Sequence, residues 1–330
     1  MEIGLIDVDS HRFPSLPLMK ISAFHKARGD NVSWGVPLLH YDILYVSKVF
    51  GDEYSQMDMT VMQADKIVYG GTGFATKIVD GKEVFEKAND NELPDEIEHI
   101  YPDYSLYPEL TKGKAYGFLT RGCPNNCGFC PVSNKEGLKS HKVANLSEWW
   151  DGQKTIVLLD PNILACRQHI ELLEQLVDSG AYVDFTQGLD ARFITGKNIE
   201  VLSKIKIKTV HFAFDLMKNK KQIIKGLEMA KKGLGLTDNN AIVYMLTNFD
   251  TTIKDDLYRV KAIKSLGYLP DVRIYRKNAL PKRHILRDLQ RWCNNRPIYR
   301  SCSFFDYVPR SDGRKIRDIY KDVLRGCDEI

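Results

Sequence analysis

Six short apolar runs recur at intervals of about thirty residues along the later part of the chain: AYGFLT, TIVLLD, YVDFTQ, TVHFAFD, AIVYMLTN and DVRIYRK. Each is rich in β-branched and aromatic residues, and amphipathic stretches such as CRQHIELLEQLVDSG, KQIIKGLEMAKKGLG and TIKDDLYRVKAIKSLG lie between them. One strand and one helix take about this length, so the rhythm commits the chain to βα units and a parallel sheet. Boundary signals agree: Asn145 with Glu148 and Thr252 with Asp255 have capping-box spacing, and Gly180 and Gly267 stand where helices should end. The expectation is an α/β chain with a partial (β/α)6 TIM-like barrel over residues 113–290 and a C-terminal extension over 291–330. The basic stretch PKRHILRDLQRWCNN reads as a helix after the sixth strand; together with RPIYRSCSFFDYVPR and a last helix, it either closes the barrel or binds substrate.

Residues 1–90 have the pattern of a separate, Rossmann-like parallel-sheet domain. EIGLIDVD, YDILYVSKVF and DKIVYGG read as strands, and LPLMKISAFHKARGD as a helix that aligns Leu18, Ile21 and His25 and ends near Gly29. Ligands of such sheets sit at the carboxyl ends of the strands, which here carry Asp7, Asp9, His11, Ser47, Gly70 and Gly71. Residues 91–112, with three prolines and no clear period, read as a linker.

Charge divides the chain in the same place. Residues 1–110 hold 9 Lys and Arg against 19 Asp and Glu, whereas the remainder holds 38 against 24. A basic second part suits an anionic ligand or nucleic acid, although solvated helix ends account for such charge equally simply. The start, MEIGLIDVDS, lacks a secretory pattern, and no apolar run approaches the ~18 residues that span a bilayer, so a cytoplasmic protein with no membrane partner is expected.

Three of the seven cysteines fall in RGCPNNCGFCPVS, directly after the first of the six strand candidates. An odd count with one tight cluster, in a reducing compartment, points to metal or redox chemistry rather than disulfides. Cys123, Cys127 and Cys130 are spaced C-x3-C-x2-C. Iron–sulfur cubanes usually take four thiolates, so three leave one iron open to a substrate or cofactor. Gly122, Gly128, Pro124 and Pro131 suit a loop wrapped round a bulky inorganic group, and Phe129 supplies an apolar wall. A structural zinc that recruits a distant histidine such as His141 is the alternative, against the usual paired C-x2-C knuckles. Cys293, Cys302 and Cys327 stand as auxiliary-cluster ligands or, with Cys166, as small buried hydrophobes.

The cysteine run at the head of a six-fold βα series resembles the radical S-adenosylmethionine superfamily, whose motif, aromatic residue included, is matched by Cys123, Cys127, Phe129 and Cys130. The resemblance covers about residues 112–290. It implies a 4Fe-4S cluster whose open iron chelates S-adenosylmethionine (SAM), and an electron that cleaves the sulfonium to methionine and a 5′-deoxyadenosyl radical. It also implies an electron donor of flavodoxin or ferredoxin type. Where the superfamily often has Gly-Gly-Glu, this chain has LLDPNIL, which offers Asp160 and Asn162; TQGLDARFIT offers Gln187, Asp190 and Arg192, and Asp215 and Asn248 follow the next two strands. Each of these residue types is equally at home as a cap or in a turn.

The amino-terminal part resembles the cobalamin-binding domain that precedes the barrel in many members, which implies Ser47, Gly70 and Gly71 near the corrin tail and His11 at cobalt. The ligating pattern departs at DSHRFP, where Pro14 replaces a glycine, so a domain that keeps the fold without the corrin stands beside one that binds it. The domain order also resembles tRNA methylthiotransferases, though no β-rich RNA-binding segment and no second three-cysteine set is visible. A non-catalytic zinc-containing module that binds nucleic acid or protein is the reading from another class.

Overall fold

The computed structural model describes residues 1–9, 13–80 and 82–330. The chain divides into two compact units, Met1–Tyr182 and Val183–Ile330.

In the first unit, β1 (Glu2–Asp7), β2 (Asn31–Trp34), β3 (His40–Ser47) and β4 (Gln63–Gly70) form a parallel sheet in the order β2-β1-β3-β4. The helix Leu16–Ala27 follows β1 as expected and lays Leu18 and Ile21 on Ile3 and Leu5. Its His25 is buried, with Nδ1 at 2.7 Å from Asp30 and Nε2 at 3.1 Å from the Tyr45 hydroxyl. Gly29, at φ 80°, lets the chain turn out of the helix into β2.

The other two crossovers contain no helix among the described residues. Between β3 and β4 an irregular segment carries Met57, Met59 and Met62 onto Tyr41, Leu44 and Val46. Unbranched thioethers fill an uneven surface well, so methionines cover the face that a helix was expected to cover. The stretch read as a linker holds three single helical turns, Asp95–Glu98, Tyr104–Leu106 and Pro108–Thr111. Ile97 from the first joins the Ile3 and Leu5 core, and Tyr107 packs on Leu16 and Met19.

Next come an antiparallel pair, β5 (Thr76–Val79) and β6 (Lys82–Phe85), and then β7 (Lys114–Gly117), β8 (Thr120–Arg121), β9 (His141–Lys142) and β10 (Thr155–Leu158). β7 and β10 pair in parallel, while β8 and β9 form a short antiparallel ladder.

β11 (Tyr182–Leu189), β12 (Lys206–Ala213), β13 (Ala241–Thr247) and β14 (Leu269–Ile274) alternate with the helices Gly196–Leu202, Lys220–Gly233 and Ile253–Ser265. All six apolar runs are strands, in a sheet ordered β14-β13-β12-β11-β10-β7, so the chain is α/β with parallel sheets of four and six strands. Within the second unit one face of the strands is apolar and closed: Val183, Phe185, Val210, Phe212, Val243, Met245 and Val272 are all buried. The Thr252–Asp255 capping box is present, with the threonine hydroxyl accepting from the Asp255 N–H. Gly226 allows the Lys220–Gly233 helix to close on the turn at Ala191; a Cβ there would lie 1.8 Å from the Ala191 carbonyl oxygen. No helix among the described residues is long and apolar enough to cross a membrane.

Candidate metal centre and cofactor residues

In the first unit the base of the cysteine loop is framed by backbone, guanidinium and carboxylate bonds. The β8–β9 ladder pairs Thr120 with Lys142 and Arg121 with His141, closing the base of residues 122–140. Above it the Gly122 N–H donates to Glu136 Oε2 at 2.9 Å, Arg121 donates to Glu136 Oε1 at 2.9 Å, and the Cys123 N–H donates to the Gly137 carbonyl at 3.1 Å. Gly122 has φ 81°, and a Cβ there would sit 2.3 Å from the Lys139 carbonyl oxygen, so the loop base accepts only glycine without shifting. Asn126 takes the second left-handed position, with φ 42°, and accepts a hydrogen bond from Ser133 Oγ.

Cys123, Cys127 and Cys130 are half-buried and form no disulfide. Cys127 and Cys130 are joined by a turn whose Cys130 N–H donates to the Cys127 carbonyl at 2.9 Å. Their chemistry suits a thiophilic metal or an iron–sulfur cluster. In this structure, among the described residues, no three His, Cys, Asp or Glu side chains are gathered to hold a metal ion. Phe129 is half-buried. His141, the histidine a structural zinc would recruit, is exposed with Nδ1 on the Lys139 carbonyl.

Asp160 and Asn162 both serve this loop. The Asp160 carboxylate is buried and accepts from the Leu119 N–H (2.9 Å), the Thr120 N–H (2.6 Å) and the Thr120 hydroxyl (2.5 Å). Those bonds stand between β7 and β8 and turn the chain toward the cysteines. Burial pushes the Asp160 carboxyl up to about 7 against the pull of the three donors. Asn162 donates from Nδ2 to Cys123 Sγ at 3.6 Å, and its carbonyl accepts from Ser140 Oγ at 2.9 Å. Expected as cofactor ligands, both are here in contact with the loop itself.

At the carboxyl edge of the four-stranded sheet, Asp7 stands opposite Ser47 and Ser47 opposite Gly70. This is the point between β1 and β3 where ligands of doubly wound sheets collect. Its groups are engaged within the unit: Ser47 Oγ lies 3.0 Å from Ser15 Oγ, both buried, and Tyr107 donates its hydroxyl to Asp7. Gly71 packs so closely that a Cβ would fall 2.3 Å from the Lys48 carbonyl oxygen, so a contact between two loops already accounts for the glycine. A corrin tail would have to displace these contacts. His11 lies outside the described residues.

In the second unit the remaining candidates follow the strands as expected. Gln187 is exposed near the end of β11. Asp190 caps the next turn and holds Arg192 through two charge-assisted bonds of 2.8 Å, a bidentate pair of the kind expected between this arginine and a cofactor carboxylate. Asp215 is half-buried, accepts from the Leu246 N–H at 2.8 Å, and is raised above the ordinary carboxylate range chiefly by desolvation of its carboxyl. Asn248 adopts φ 64° and donates to the Tyr275 carbonyl.

What organises this end of the unit is a residue that no sequence motif singles out. Arg259 is fully buried and donates to the carbonyls of Phe214 (2.7 Å), Asp215 (2.8 Å) and Leu246 (2.8 Å) while pairing with buried Asp256. It ties the ends of β12 and β13 together and so fixes Asp215. The only sign of it in the sequence is an arginine in the apolar phase of an amphipathic helix.

No family model matches the chain, and no curated protein matches it.

Proposed function

We propose that the chain is a radical SAM enzyme in which Cys123, Cys127 and Cys130 hold a 4Fe-4S cluster on a partial barrel of βα units. The observation that carries this reading is the loop: three half-buried cysteines without disulfides, spaced C-x3-C-x2-C, at the end of a strand and framed by bonds independent of sulfur. Such a cluster, when bound, supplies the electron that cleaves S-adenosylmethionine to methionine and a 5′-deoxyadenosyl radical. The chain's own residues order the loop: Asp160 orients the strand end, Asn162 directs an N–H at Cys123, and Glu136 ties Arg121 and Gly122. Loading requires the three thiols to turn toward one centre. In the second unit, Gln187, Asp190, Arg192, Asp215 and Asn248 offer hydrogen-bonding groups of the kind an amino-acid nucleoside takes, with Asp215 held by Arg259.

The test is anaerobic reconstitution with iron and sulfide, then reduction in the presence of SAM, with and without cobalamin. Release of 5′-deoxyadenosine supports the reading. Dependence on cobalamin would show that the contacts round Ser47 and Gly71 open to a corrin. One zinc per chain with no sulfide in anaerobically purified protein would replace the enzyme reading by that of a zinc-containing binding module.

A further inference from the structure

The adjacent tryptophans of the first unit have different fates. Trp149 is buried, whereas Trp150 is half-buried and lines an open groove of about 760 Å³. That volume falls within the roughly 300–1,000 Å³ of small-molecule sites. Tyr101, an exposed ring, lines the same groove. One residue fixes both rings: the Gln153 carbonyl accepts from Trp150 Nε1 at 2.9 Å, and Gln153 Nε2 donates to the Tyr101 hydroxyl at 2.7 Å. The same side chain accepts from the Asp151 N–H at 2.7 Å through Oε1. Rings held in this way are ordered before a ligand arrives, which lowers the entropic cost of binding.

The polar wall of the groove is ordered as well. The turn Leu146–Glu148 is joined to the helix His169–Ser179 by a single amide: Gln175 Oε1 accepts from the Leu146 N–H at 2.8 Å, and Gln175 Nε2 donates to Asn145 Oδ1 at 3.2 Å. This leaves the Asn145 Nδ2 hydrogens and the Tyr101 hydroxyl hydrogen without an acceptor among the described residues. The Asp151 and Asp178 carboxyl groups, on the same lining, have no donor among the described residues. No Lys or Arg lines the groove among those residues.

We infer that this groove binds a neutral saccharide of the β-glucopyranose type. A sugar hydroxyl both donates and accepts, so it uses the amide and phenol hydrogens together with the carboxyl oxygens, which accept whatever the charge of either acid. A phosphate or carboxylate ligand would meet two carboxyl groups and no Lys or Arg. An organic cation would suit the rings but would leave the Asn145 and Tyr101 hydrogens unmatched. A pyranose with equatorial hydroxyls carries only C–H groups on its two faces, which suit an indole or phenol ring, while its hydroxyls project sideways toward the polar wall. The groove shares no residue with the cysteine loop, so the inference holds whatever that loop carries.

The experiment is saturation-transfer NMR and calorimetry on full-length protein, with cellotriose and triacetylchitotriose as probes and tetramethylammonium as the cationic control. The expected result is saturable binding of at least one of the sugars, with saturation passing most strongly to the C–H protons of one ring face. Trp150→Ala should weaken that binding roughly tenfold, the worth of one well-placed ring. Asp178→Ala, at an exposed position, should weaken it about fivefold through the loss of one hydrogen bond. Absence of saturable binding of both sugars, tighter binding of tetramethylammonium than of either, or unchanged sugar affinity in both variants overturns the inference. The wild-type titrations decide it even if Trp150→Ala fails to fold.

Discussion

Cys127 sits midway in the loop, where its thiol donates to the Asn125 carbonyl at 4.0 Å, whereas the bonds that frame the loop's base run through Thr120, Gly122 and Cys123 backbone groups. Under the proposed function, Cys127→Ala should abolish 5′-deoxyadenosine release while leaving the far-ultraviolet circular dichroism unchanged; persistence of release would remove the cysteine assignment. Asp160 is the opposite case, because its carboxylate carries the frame. Asp160→Ala leaves buried Leu119 and Thr120 N–H groups without acceptors and should destabilise the protein by on the order of 3 kcal/mol, read from urea midpoints. Its titration adds a pH dependence of definite sign. With the carboxyl pushed up from 3.8 to about 7, the folded state binds this proton more tightly than the unfolded chain does. The Asp160 contribution is therefore fullest below the ordinary carboxyl value, declines as pH rises to about 7, and is constant above. Asp160→Asn, compared with wild type over that range, should lose this slope; parallel stability curves would contradict it.

Among the elements, the helix Ile253–Ser265 is pinned by Arg259 to the ends of β12 and β13. Arg259→Met strands the buried Asp256 carboxylate and should cost roughly 3–5 kcal/mol, and adding Asp256→Asn should recover part of the loss. Gly226→Ala offers a sharper contrast, since helix propensity alone favours alanine by about 1 kcal/mol. The Ala191 carbonyl oxygen is only 1.8 Å from the added Cβ, so the variant should instead lose about 2 kcal/mol or more in chemical denaturation. Much at this scale is legible in the sequence: the six strands, the Thr252 cap and the ends at Gly180 and Gly267 come from periodicity and turn chemistry. β2 is not, because NVSW is a four-residue edge strand whose side chains are mostly exposed and carry no alternating apolar signal. The single turns holding Ile97 and Tyr107 are invisible for a related reason: their anchors are spaced by tertiary contact, not by a helical or strand period.

For the molecule as a whole, the units differ in charge, Val183–Ile330 carrying 30 Lys and Arg against 17 Asp and Glu. If this basic unit meets polyanions, the protein should be retained on heparin at low salt and released as salt rises, whereas flow-through at low salt would count against it. The candidate site is legible in the chain only as chemistry. Spacing selects Cys123, Cys127 and Cys130, yet which partners Asp160, Asn162 and Arg192 choose depends on distances that no linear pattern encodes. Tyr101 and Trp150 escape a linear reading because aromatic residues look like ordinary core until Gln153 holds them at the edge of a groove. The bonds from Glu136, Gly137 and Asp160 shape the cysteine loop with no help from sulfur. Under the proposed function, a newly made chain would then complete its fold before a cluster is delivered, and scarcity of iron or sulfide would leave an intact receptacle awaiting supply rather than a substrate for proteolysis.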